Sequence, residues 1–97
     1  MEGVAMQHNR LTVVRPVRAF ARSDWLRIVA GRHFELLEQM PDRFSCQFDS
    51  THSSLPALRR LSRSHPGLIF LLTDETARCL GIAKLQAGRL THRQVRY

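Results

Sequence analysis

Five histidines, two cysteines, one adjacent pair of carboxylates and an excess of arginine are the side chains here that could do chemistry. The histidines are His8, His33, His52, His65 and His92. No two stand four apart, as ligands on one face of a zinc-binding helix do, and there is no Cys-x-x-Cys pair. Cys46 alternates with Phe44 and Phe48 and reads as a small buried hydrophobe, and Cys79 reads the same way. His33 falls on the apolar stripe of an expected helix. His65, before Pro66, suits a helix end, where a charged imidazole complements the dipole. Acid–base work or metal binding needs carboxylates converging on one point. Asp74 and Glu75 are neighbours in what reads as a solvated turn. Neither a G-x-S-x-G elbow nor a G-x-x-x-x-G-K-[ST] phosphate loop is present. No catalytic residue, metal ligand or cofactor is therefore assigned, and the chain reads as non-enzymatic.

Arginine remains. Lys and Arg number 15 against 8 Asp and Glu, a formal net charge of +7. Every basic residue except Lys84 is arginine. A GC-rich genome would explain the preference for arginine over lysine, but not the surplus of positive charge. The guanidinium group grips phosphate or carboxylate through a planar fork that lysine cannot copy. Three sets stand out as candidate anion contacts: Arg15, Arg18 and Arg22; Arg59, Arg60 and Arg63; Arg89, Arg93 and Arg96. Two coplanar sets would follow a phosphate backbone.

The elements that must carry these residues follow from periodicity. Leu11 to Val17 has strand composition, with Pro16 marking an edge or an end. Ser23 and Asp24 suit a helix start. Leu26, Val29, Ala30, His33, Leu36, Leu37 and Met40 then recur at helical spacing up to Pro41. Arg43 to Asp49 alternates, with Phe44, Cys46 and Phe48 to one side. Ser54 and Pro56 open a second helix with Leu55, Leu58 and Leu61 inside, and His65-Pro66-Gly67 stops it. Leu68 to Thr73 and Cys79 to Leu85 read as strands flanking a turn. Gln86-Ala87-Gly88 reads as a hairpin connection into a last charged strand, Arg89 to Tyr97.

That order predicts an α+β two-layer sandwich, ferredoxin-like (β-α-β-α-β-β), with two helices on one face of a mainly antiparallel sheet. The length predicts a single domain over 11–97 behind a flexible tail over 1–10. No apolar run approaches the ~20 residues of a membrane span. With no signal-peptide pattern and two cysteines, the expected setting is cytoplasmic.

Part of the chain resembles a known family. The strand Phe44-Ser45-Cys46-Gln47-Phe48 is followed by a helix, Leu55 to Leu61, that runs into Leu61-Ser62-Arg63-Ser64-His65-Pro66. Leu68-Ile69-Phe70-Leu71, Asp74-Glu75, Gly81 and Gly88 follow. Over 44–97 this spacing is similar to the YubB-like, ferredoxin-like domains of bacterial plasmids and phages, whose function is unknown. The tryptophan common after that family's second strand is absent, with Thr51 and His52 in its region, and so is the tyrosine of its third strand. The resemblance implies a ferredoxin-like fold and a mobile-genetic-element setting, and transfers no catalytic residue. The reading is a small basic binding domain, monomer or homodimer, whose partner is nucleic acid, a nucleic-acid-associated complex or an acidic protein. The alternative is a protein-interaction or regulatory module acting through its sheet edge or open sheet face. Base stacking of the RNA-recognition type is not expected, because Ser45, Gln47 and Asp49 are the open-face residues of their strand.

Overall fold

A computed structural model describes residues 6–14 and 34–97. Along the chain these form β1 (Gln7–Val14), β2 (Phe34–Met40), β3 (Arg43–Ser50), α1 (Leu55–Ser64), β4 (Ile69–Glu75), β5 (Cys79–Gln86) and β6 (Arg89–Arg96). The six strands make one sheet in the order β2-β3-β1-β4-β5-β6, and every neighbouring pair is antiparallel. β3 and β4 therefore run parallel on either side of β1, and α1 connects them.

Alternation fixes which face is buried. Leu11 lies between Cys46 and Leu72, and Val13 between Phe44 and Phe70; Ala83 and Leu85 extend the two rows onto β5. All of these are buried, and Leu58, Leu61 and Leu68 close over them, with Leu55 packed at the margin. Cys46 is a free thiol with no solvent exposure, and burial pushes it up to about 11. Phe44, Cys46 and Phe48 point inward, as their alternation predicts.

The expected two-helix, ferredoxin-like α+β sandwich is overturned. The described residues are mostly β: six strands in one sheet and a single helix. The expected first helix fails over 34–40, which is strand; residues 15–33, including His33, lie outside the described residues. Phe-Glu-Leu-Leu-Glu-Gln-Met suits either period. It is drawn into the sheet because β3 needs a hydrogen-bonding partner on its outer side. Leu36 pairs with Cys46 and Glu38 with Ser45, and the register shift between them absorbs Leu37 as a bulge. Pro41, read as a helix stop, instead turns β2 directly into β3 together with Asp42.

β1 begins at Gln7, so residues 7–10 are strand rather than tail. Asp74 and Glu75 end β4 instead of forming a turn, and they point to opposite faces: Asp74 is buried and Glu75 exposed. The Asp74 carboxylate lies over Gly81, the residue opposite it on β5, where a Cβ would come within 2.4 Å of Oδ1. Ser54 makes no side-chain cap bond; the Leu55 N–H donates to Ser53 Oγ at 3.2 Å.

Candidate anion-binding surface

The β5–β6 turn is where the cations gather. Ala87 (φ 51) and Gly88 (φ 81) both adopt the left-handed region, the backbone of a primed hairpin turn. Fully buried Ser62 fixes that turn beneath α1. The Gly88 N–H donates to Ser62 Oγ at 3.0 Å, and Ser62 Oγ donates to the Arg59 carbonyl at 2.9 Å. Arg59 Nε donates to the Gly88 carbonyl at 3.0 Å. The Arg63 stem packs on Gly88 so closely that an added Cβ would come within 2.6 Å of its Cγ. Arg59 and Arg63 thus flank the turn on the helix side, while Arg60 is exposed on the outer side of α1.

On the opposite, open face of the sheet, Arg89 is the first residue of β6, Lys84 lies opposite Thr91, and Arg93 lies opposite Ile82. Lys84, Gln86, Ala87, Arg89 and Thr91 line a shallow depression of about 540 Å³. A second, more apolar depression of about 280 Å³ runs inward from Lys84 over Leu71 and Ile82 to Arg10. Arg96 is at the far end of β6 and on the other face, opposite Cys79. The structure therefore brings Arg59, Arg63 and Arg89 around one turn and Arg93 near it. It leaves Arg60 on the helix exterior and Arg96 apart. Arg15, Arg18 and Arg22 lie outside the described residues.

Sequence reasoning missed Lys84. The signal was its parity: counted from the turn, Lys84 and Arg89 share a face. It also missed how charge is divided. Neither α1 nor any residue from Thr76 to Tyr97 is acidic, yet these segments hold Arg59, Arg60, Arg63, Arg78, Lys84, Arg89, Arg93 and Arg96. Glu35, Glu38, Asp42 and Asp49 all belong to the β2–β3 hairpin at the opposite edge of the sheet. Among the described residues the Arg43–Glu38 ion pair at 3.7 Å and the His8 Nδ1–Asp49 Oδ1 hydrogen bond at 2.7 Å are both remote from the turn. Between these two ends, His8, Arg10, Glu35, Gln47, Asp49 and Glu75 border a depression of mixed sign, about 540 Å³. There Gln47 Nε2 donates to Glu35 Oε2 at 2.7 Å, and the Tyr97 hydroxyl donates to Glu75, which raises its pKa.

No helix among the described residues is long and apolar enough to cross a membrane. No family model, curated protein or solved structure matches the chain.

Proposed function

We propose that this chain is a small non-enzymatic binding domain of the cytoplasm that contacts the phosphate backbone of nucleic acid. Contact is through the cations around its β5–β6 turn and along α1. One observation carries the reading: eight cations stand on α1 and on residues 76–97 without a carboxylate among them, and none of the ion pairs among the described residues includes one of them. A surface merely solvated by charge usually mixes signs. This one concentrates a single sign at one end, which raises the local potential and steers anions toward it.

Arg63, Arg89, Arg93 and Lys84 would meet phosphate oxygens from two sides of one turn, and Arg60 would extend the contact along the outer side of α1. The docking of Gly88 on Ser62 and Arg59 holds the two groups in fixed relation. Such contacts position a backbone and carry little sequence information.

Binding of a labelled duplex and of a labelled single strand, titrated across salt concentrations, tests the proposal. Affinity should fall linearly on a log–log plot, with a slope of about −0.9 per phosphate neutralised on duplex. An affinity indifferent to salt, or no binding at low salt, would overturn it.

A further inference from the structure

A partner of different chemistry is suggested by the sheet's last strand. Among the described residues β6 ends the strand order, spans 8 residues, and is exposed along its whole length. It contains no proline, and no register shift interrupts its pairing with β5. β2, the other terminal strand, carries the bulge at Leu37, a common device for blunting an edge. Because Gln86 and Arg89 close a two-residue turn, the hydrogen-bonded pairs with β5 alternate from there. The Tyr97 N–H, bonded to the Arg78 carbonyl at 2.8 Å, continues the same alternation. The backbone groups of Leu90, His92, Gln94 and Arg96 therefore point away from the sheet.

Charge selects what can pair there. A second antiparallel copy of β6 would set the face bearing Arg89 and Arg93 against itself, with no carboxylate on either strand. Like charges across a strand pair are destabilising. The same arginines favour a strand of opposite sign. We infer that β6 is a docking edge for an extended acidic segment of a partner protein. That segment adds to the sheet as a seventh strand, its alternate carboxylates meeting Arg89 and Arg93 on the open face.

The inference goes beyond nucleic-acid contact and can fail separately from it, because it depends on the backbone of β6. The probe is a synthetic peptide of alternating Glu and Thr, matched in length to β6. A second peptide with Pro in place of Thr keeps the charge and loses the alternate backbone donors. The Glu–Thr peptide should bind about tenfold more tightly than the Glu–Pro peptide. It should also slow amide exchange at Leu90, His92, Gln94 and Arg96, while Thr91, Arg93 and Val95, already bonded to β5, change little. Gln94→Pro, which removes one outward donor and leaves the β5 ladder intact, should weaken the Glu–Thr peptide about tenfold, and Gln94→Ala should not. Nucleic-acid affinity of Gln94→Pro should match the parent. Equal binding of the two peptides, or no new protection at those four amides, would overturn the inference. So would self-association in sedimentation that uses up the edge, which would make a second copy the occupant.

Discussion

Ser62 shows how one small side chain can place a charged surface. Its hydroxyl accepts from Gly88 and donates to the Arg59 carbonyl, so the hairpin turn and the helix are tied at a point with no solvent access. Ser62→Ala should leave the Gly88 N–H unpaired in the interior and cost about 1–3 kcal/mol in denaturant unfolding. A loss within error of zero would mean the turn is held otherwise. Cys46 gives a second prediction, with its sign fixed by burial. Its pKa rises from 9.0 to about 11 in the folded chain. The stability this shift contributes is therefore fully present below pH 9 and is lost as pH rises toward 11. The loss should be on the order of 2–3 kcal/mol. Cys46→Ala should lower stability at neutral pH and flatten the profile across that window. A profile equally steep in the variant would point to other groups, such as Tyr97.

At the scale of elements, hydroxyls preceding α1 separate expectation from structure. Ser54 stands where a capping serine belongs, but its buried Oγ has no hydrogen-bond partner, while Ser53 receives the Leu55 N–H. Ser53→Ala should therefore cost about 1 kcal/mol, and Ser54→Ala should be neutral or slightly stabilising. Thermal unfolding of the two variants checks the order, and the reverse order would restore Ser54 as the cap. Much else about the elements was legible. The clean alternation of β3, the leucine stripe of α1 and the glycine of the β5–β6 turn each matched one period and one physical cause. β2 was not legible. Phe34, Leu36, Leu37 and Met40 fit a helical stripe as well as a bulged strand. The demand that decides between them comes from the unpaired side of β3, a long-range fact that no local window contains. The paired parity of Lys84 and Arg89 was readable from the turn, whereas the docking of that turn on Ser62 needed the fold.

At the scale of the whole molecule, the sheet separates charge. Its β2–β3 edge carries Glu35, Glu38, Asp42 and Asp49, and its β6 edge, with α1 above it, carries cations alone. The sequence shows the surplus of +7, but only the strand order shows that the surplus collects at one end. That distribution, rather than net charge, governs binding in the proposed contact, and two double variants of equal net charge test it. Arg60→Glu with Arg89→Glu alters the carboxylate-free end. Arg10→Glu with Arg43→Glu alters exposed positions elsewhere on the sheet. In duplex titrations at one fixed salt concentration, the first pair should lose at least about tenfold in affinity and the second less than about threefold. Equal losses in the two variants would rule out a localised contact surface, because net charge alone would then govern binding.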